Sequence, residues 1–490
     1  MINFKYISYQ TIAWAILFIG VMYFPLVHYI DHLPLRWWDE SLFGMRALHM
    51  HTTGEYMSDF QLYDGLHAHR NTKMPFTTII QVLFMKVMGI KVLALRLPVV
   101  LIFAATVAFT LRYARKHLSA ISIGVLFAII MVCSPGIVRE HILRTGDQDM
   151  PFICYLFVMV ISYFEYLEKG NKKYLLLFAL SISAALLTKN LLAGAFLPGL
   201  LLYTIFNKKL IKVLSDRYIW MAIVSVVSLF ALVIFYLENT YPGFVDRMWG
   251  YELMGRYTDA KDGHRGNFNF FFNDLAFASF KIYFWLVPLS LLLLFSKRMN
   301  TFHMRLMTCL ASVYFSYLII ISFAETKLFW YGIPIIPLGA MIIAIAVQHI
   351  YKEYLSSQKI AIRYGLPIVF GVIFFVMPYM DMISYIRKSK VEFQEEKFGM
   401  FIEKMSVDYP SHTTYTLANK EFGTATMWYK EKYRIEKGYQ LKYEDNNQFS
   451  DGELVMTCLN DMGAQLHEKY NYEVWHEYEG CKFVIILNEK

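Results

Sequence analysis

The stretch YLLLFALSISAALLTKNLLAGAFLPGLLLYTIFNKK, residues 174–209, decides how the chain is read. Two apolar runs, 174–188 and 191–206, are parted only by Lys189 and Asn190 and end against Lys208 and Lys209. A helix needs roughly 20 apolar residues to cross about 30 Å of hydrocarbon. Backbone in lipid must also satisfy its own hydrogen bonds, so such runs are read as helices. Working outward, blocks of the same kind lie at 11–30, 93–111, 118–136, 150–167, 218–237, 275–296, 306–324, 329–350 and 363–383. Together they predict an all-α polytopic membrane domain of about eleven transmembrane helices. Composition agrees: 57% of residues are hydrophobic and 18% charged, and a soluble protein could not cover so much apolar surface. A single Lys and an apolar run open the chain with no small-residue cleavage site, which predicts a retained first helix.

Charge sets the expected orientation. With the N-terminus inside, the inner connections carry Arg112, Arg115 and Lys116; Lys169, Lys172 and Lys173; Lys208, Lys209, Lys212 and Arg217; Lys297, Arg298 and Arg305; and Lys352, Lys359 and Arg363. Every inner loop is then basic, as the positive-inside rule requires. The net charge of +8 therefore reports membrane topology and not nucleic-acid binding. Three segments fall outside: the loop 31–92, the loop 238–274 and the tail from about 386. The apolar stretch 75–89 is too short to span comfortably and is expected at the outer interface. The membrane domain is thus placed at 1–385 and a small extracytoplasmic α/β domain at 386–490. The tail has 14 Lys/Arg against 18 Asp/Glu, unlike the basic remainder. Helix-like segments at 392–406 and 460–469 alternate with strand-like ones at 413–417, 453–458 and 482–487. Cys458 and Cys481 both fall in this tail, where a disulfide or two separate buried thiols are open readings. Cys133, Cys154 and Cys309 lie in or beside apolar blocks and read as packing residues.

Polar residues near a bilayer are costly, so their positions carry information. They gather on the outer side. Trp37-Trp38-Asp39-Glu40-Ser41 puts two carboxylates beside two tryptophans: a general base at the headgroup level, or an aromatic belt followed by solvated acids. Lys73 lies before Pro75 and can neutralise a phosphate or simply snorkel. Arg144…Asp147-Gln148-Asp149-Met150-Pro151 offers two acids for a metal or a sugar hydroxyl, while Asp149 is also a good helix start. Lys189 in so tight an outer turn suggests a partner anion, or reach toward lipid phosphates. Lys327 and Tyr331 precede Pro334 and Pro337 at another outer helix end. Arg247, Glu252, Arg256, His264 and Arg265 populate the loop 238–274, a substrate flap by composition only. His67-x-His69 and His49-x-His51 lack a third fixed ligand, so no metal site is assigned. Acids and lysines around the outer ends of several helices suit transfer from an anionic lipid carrier: cations meet the leaving phosphate and a carboxylate deprotonates the acceptor.

These residues also carry a resemblance over about residues 10–350. Asp39-Glu40, Lys73-x-Pro75, Arg144…Asp149-Met150-Pro151, Leu187-Thr188-Lys189 and the Lys327…Tyr331…Pro334…Pro337 run, in that order, resemble the GT-C membrane glycosyltransferases. The bacterial relatives of protein O-mannosyltransferases and of the lipid A aminoarabinose transferase (family 39-like) are the nearest in pattern. The resemblance implies a GT-C-like fold and an inverting transferase in a bacterial inner membrane. Its donor would be a polyprenyl-phosphate sugar, and its partners a lipid or protein acceptor and the membrane lipids. By that similarity Asp39 is the base with Glu40 in support. Lys73, Lys189, Arg144 and Lys327 face the donor phosphate. Asp147, Asp149, Tyr331, Arg256 and His264 shape the sugar or acceptor site. Relatives often carry Glu before the Lys-x-Pro lysine. Thr72 stands there in this chain, so a metal ligand is missing and no cofactor is expected. The competing class is a transporter or flippase of a lipid-linked sugar, which should place charges near the midplane. The sequence puts them at one face.

Overall fold

The computed structural model describes residues 9–62, 68–70, 72–260, 263–388, 391, 394–418, 423–444, 446, 448–458 and 461–490. Helices dominate. In chain order they begin with α1 (Tyr9–Leu26), α2 (Asp39–Thr53), α3 (Phe76–Met88), α4 (Val92–His117), α5 (Ile121–Cys133), α6 (Asp149–Lys169), α7 (Lys172–Lys189) and α8 (Leu197–Phe206). They continue with α9 (Arg217–Thr240), α10 (Ile282–Leu291), α11 (Thr301–Ser322), α12 (Ile336–Ile350), α13 (Ile360–Gly371) and α14 (Met377–Lys388). Every apolar block of the sequence falls on helix. By length and composition, seven described segments can cross a membrane, or eight if the sharply bent pair Phe270–Ser279 and Ile282–Phe295 counts as one span. α5 and the apolar part of α1 are shorter.

One of the seven segments runs unbroken in apolar character over Lys172–Phe206. Its contacts nonetheless show a turn back at Asn190. At one end Lys189 reaches Asp149, the first residue of α6, at 2.6 Å. At the other, Tyr203 reaches Glu168 and Thr204 reaches Tyr163, both in the last turns of α6. Two positions 14 residues apart could not touch opposite ends of α6 unless the chain spanned its length again, so α7 and α8 form a hairpin along it. Asn190 makes the turn with φ 57° and ψ −153°, a sparsely populated backbone conformation outside the left-handed helical region. α8 then packs closely on α11, where a Cβ on Gly199 would lie 2.4 Å from the Cα of Val313. Small residues let membrane helices approach this way.

Polar groups form two layers at opposite ends of the bundle. The layer at the C-terminal end of α6 holds buried Glu165 with His117 and Tyr113, and Glu168 with Lys209 and Arg305. The other layer, at the N-terminal end of α6, holds Asp39, His141, Asp147, Asp149 and Lys189. Between them lies one continuous apolar core built from α4–α8, α11 and α12. α3, the stretch expected at the interface, is a 13-residue helix that buries Thr77, Thr78, Gln81, Val82 and Met85 and leaves Leu83 and Val87 exposed.

The C-terminal region adds α15 (Gln394–Asp408), β3 (Thr414–Ala418), α16 (Thr424–Lys437), β4 (Gln440–Glu444), β5 (Leu454–Cys458), α17 (Asp461–Lys469), β6 (Tyr470–Tyr478) and β7 (Cys481–Glu489). A two-stranded antiparallel ladder of three residue pairs, β1 (Phe60–Leu62) with β2 (Ala68–Arg70), lies in the first loop. The C-terminal sheet has the order β4-β3-β5-β7-β6, parallel at β4-β3-β5 and antiparallel beyond. Cys458 and Cys481 face each other across β5 and β7 and form a disulfide. This closes the question that the sequence left open. α15 and α16 pack on the membrane domain. Phe398, Phe401, Ile402 and Tyr429 share a single buried cluster with Leu35, Leu48, Val82 and Met85. The small domain therefore sits at the same end of the bundle as Asp39.

Candidate active site

Four chain segments meet at this end: the start of α2, the loop before α3, the loop between α5 and α6, and the α7–α8 turn. Asp39 opens α2 after Trp38, whose φ of 73° and ψ of −126° are unusual for a side chain of that size. Strained backbone of this kind persists where the surroundings over-determine it, and it clusters at functional sites. Two more instances, His141 and Asn190, lie in the same layer. Asp39 is partly exposed, whereas its neighbour Glu40 is fully buried.

Glu40 is a structural node. It accepts from Arg96 Nε and Nη2, each at 2.7 Å, from the Arg36 amide at 2.8 Å and from the Gly146 amide at 2.6 Å. Burial alone would raise its carboxyl, but the Arg96 guanidinium and these donors hold it below the ordinary range. Arg96 completes its fork on the carbonyls of Ile30, Leu33 and Pro34. Gly146 is required here because a Cβ would crowd Leu95 at 2.9 Å. The pair named in the sequence thus divides, with one acid facing the site and the other tying three loops together.

Asp39, His141 and Asp147 present ligand atoms within 4.8 Å of one another, the one such group among the described residues. His141 Nδ1 lies 3.8 Å from Asp147 Oδ1 and 4.0 Å from Asp39 Oδ2, and its ring packs tilted by 33° against Trp330, with centroids 4.5 Å apart. His141 Nδ1 and Asp147 Oδ1 are buried with no hydrogen-bond partner. Burial works against a charged imidazole, but Asp147 and Asp39 outweigh it and push His141 up to about 9. Burial pushes Asp147 up to about 6. The trio fits a small cation by donor type and spacing. It is equally satisfied by an imidazolium supplying the positive charge between the two acids. His49 and His51 are two apart on α2, so they do not converge. His67 lies outside the described residues, as does the side chain of His69.

Beside this group lies a partly open pocket of about 820 Å³, the open solvent at its mouth included. Lys73, Lys189, Asn190, Glu252, Arg256 and Tyr331 line its polar end. Leu192, Ala195, Ile320, Ile321 and Ala324 line the rest. Lys189 spans both regions, bonded to Asp149 at 2.6 Å and 5.8 Å from the Tyr331 ring. Lys73 meets Glu252 at 2.7 Å, and Arg256 meets the other Glu252 oxygen at 3.3 Å. Thr72 donates to the same carboxylate at 2.7 Å. Burial would raise Glu252, but Lys73 and Arg256 bring it down to about 2. Buried Arg46 fixes the backbone of this segment by donating to the carbonyls of Lys73, Met74 and Ser58. Three cations against two carboxylates, Glu252 and Asp149, leave the polar end with an excess of positive charge suited to an anion, and the apolar walls suited to a hydrocarbon chain.

The whole architecture has counterparts. ArnT from Cupriavidus metallidurans, in a structure bound to undecaprenyl phosphate, superposes with a TM-score of 0.67 at 12% identity, covering 97% of this chain and 98% of that one. The oligosaccharyltransferase AglB from Archaeoglobus fulgidus, in complex with an inhibitory peptide and a dolichol-phosphate, gives a TM-score of 0.51 at 10% identity, covering 97% and 74%. This is the GT-C fold. Residues 72–236, about a third of the chain, also match the sequence profile of the dolichyl-phosphate-mannose-protein mannosyltransferase family. No curated protein matches the sequence. At these identities the superpositions speak for the fold, and the site must be argued from its own residues.

Within the GT-C fold of this chain, Asp39, Asp147 and Asp149 lie together beside Lys189, and Lys73, Arg256 and Tyr331 share the cavity. Three expected residues lie elsewhere. Arg144 donates to the carbonyls of Pro25 and His28 at 2.8 and 2.7 Å, capping the end of α1. Lys327 is buried, donates to the Ser322 carbonyl at 2.8 Å and is lowered by that burial. His264 is exposed and contributes its carbonyl to Lys327 N. His141, Arg96 and Arg46 were not singled out in sequence, and Glu252 was named there only among the charges of the loop 238–274. Arg96 could have been, because an arginine inside an apolar block demands a buried partner.

Proposed function

We propose that this protein is an inverting membrane glycosyltransferase that moves a sugar from a polyprenyl-phosphate carrier to a lipid or protein acceptor on the outer face of the membrane. The observation that carries the reading is the cavity. It brings Lys73, Lys189 and Arg256 together with apolar walls from Leu192, Ala195, Ile320, Ile321 and Ala324, and Lys189 connects it directly to Asp149.

In this reading Lys73, Lys189 and Arg256 hold the carrier phosphate, and the isoprenoid lies along Leu192, Ala195, Ile320, Ile321 and Ala324. Asp149 and Tyr331 flank the sugar. Asp39, partly exposed, takes the proton from the acceptor's nucleophilic group. The nucleophile attacks the anomeric carbon on the face opposite the phosphate and the carbon–oxygen bond to phosphate breaks. The configuration inverts, and the carrier phosphate leaves with its negative charge met by the three cations. Should a divalent cation bind, Asp39, His141 and Asp147 would hold it, and it would supply positive charge beside the acids. The acidic end of the bundle shares its side with the disulfide-bearing domain, while the Lys/Arg-rich loops lie at the other end. This supports an outward-facing site with the N-terminus inside.

The test is turnover of a panel of polyprenyl-phosphate sugars by purified protein in lipid, read as carrier-phosphate release, with Lys189→Met alongside. Release by wild type, with a raised donor KM and a lower kcat in the variant, supports the proposal. Movement of lipid-linked sugar between leaflets without release would replace it with a transporter.

A further inference from the structure

The C-terminal domain has no role in the chemistry proposed above, yet it touches the segment that presents Asp39. Glu396, at the start of α15, is 1% exposed. Its Oε1 accepts from the Trp37 amide at 3.1 Å and its Oε2 from Arg36 Nη1 at 2.9 Å. One residue earlier, the Leu35 amide donates to the Tyr429 hydroxyl at 3.1 Å. Three consecutive residues, 35 to 37, are thus gripped from the C-terminal domain, and the strained Trp38 and then Asp39 follow directly. The same Arg36 reaches Glu140 Oε1 at 3.2 Å, and Glu140 precedes His141. A single guanidinium therefore ties the C-terminal domain to both halves of the Asp39–His141–Asp147 group.

We infer that Glu396 is a positioning residue for Asp39, so that the C-terminal domain acts as a clamp on the reacting carboxylate. The inference rests on the glycosyltransferase reading. A buried carboxylate is costly unless it is paired, and this one pairs across to Arg36 and the Trp37 amide of the membrane domain. The shared core of Phe398, Phe401 and Tyr429 with Leu35 and Leu48 gives the clamp a rigid base. The clamp acts on residues 35–37, directly before Asp39, and thereby on where the base stands.

Full-length wild type, Glu396→Gln, Glu396→Asp and Phe449→Ala in lipid nanodiscs provide the test. Phe449 belongs to the small core on the far side of the sheet and destabilises the domain without touching the clamp. A base displaced by about 1 Å loses on the order of 10²-fold in rate. Glu396→Gln is expected to lower kcat by about 10- to 100-fold, with the donor KM little changed. Glu396→Asp should recover part of the loss, and Phe449→Ala should keep wild-type kcat. Amide hydrogen exchange over residues 35–42 is read in the same samples and should quicken in Glu396→Gln alone. Unchanged kcat and exchange in Glu396→Gln would overturn the inference, as would equal losses of kcat in Phe449→Ala. A wild type that turns over no donor would remove the glycosyltransferase reading itself, and with it the catalytic meaning of the clamp.

Discussion

Glu40→Gln should unfold the outer layer of this protein before it does anything to catalysis. The side chain is fully buried and accepts four hydrogen bonds of 2.6–2.8 Å, two of them from a single guanidinium. Removing one partner of a buried ion pair costs about 3–5 kcal/mol, because the other charge is left uncompensated. Arg96 would keep its three carbonyl acceptors, which places the expected cost near the lower end, about 3 kcal/mol. Replacing both partners avoids the stranded charge, so Glu40→Gln with Arg96→Met should be more stable than Glu40→Gln alone. The sign with pH follows. The Glu40 carboxyl lies below its ordinary range in the fold, so its contribution is present at neutral pH. It is lost as pH falls below about 4 toward the folded value. Thermal unfolding in nanodiscs, followed for the single and double variants, measures this. A Glu40→Gln protein as stable as wild type but inactive would refute the reasoning and return Glu40 to the reacting groups.

Two further outcomes are expected. His141 is raised to about 9, so its stabilising charge is fully present below about 6.5 and is lost as pH rises through 9. The melting temperature should therefore fall between pH 7 and 9 in wild type and change less in His141→Gln, as scanning calorimetry would show. Replacing Cys458 and Cys481 by Ser opens a loop of 23 residues and should cost the C-terminal domain about 3 kcal/mol. Differential scanning with and without reductant would read that loss, and equal stability would count against the bond.

Apolar runs and basic loops made the helices legible, because hydrocarbon thickness and the cost of charge in lipid act on composition directly. The tail was half legible. β3, β5 and β7 carry alternating or buried apolar residues. α16 and β4 were missed because Thr424–Lys437 mixes charges with aromatics whose buried face appears only when it packs on α2. Lys73 and Lys189 were visible as charges outside the basic loops that set the expected orientation. Asp39 and Glu40 looked alike because adjacent residues on a helix point to different surroundings, and only the fold reveals that Arg96 lies beneath one of them. Glu252 was noted in the loop without a role, since nothing in its spacing shows that it folds back onto Lys73. Arg144 and Lys327 misled for the opposite reason. Their carbonyl partners are backbone, which leaves no trace in the side-chain pattern.

The central claim is that Asp39 removes the proton from the acceptor. The most direct measurement is single-turnover release of carrier phosphate by wild type and Asp39→Asn, with donor binding measured in parallel. The account predicts unchanged donor binding and stability, with release slowed on the order of 10²–10⁴-fold. Release at the wild-type rate in Asp39→Asn would contradict it and move the base to Asp147 or Asp149.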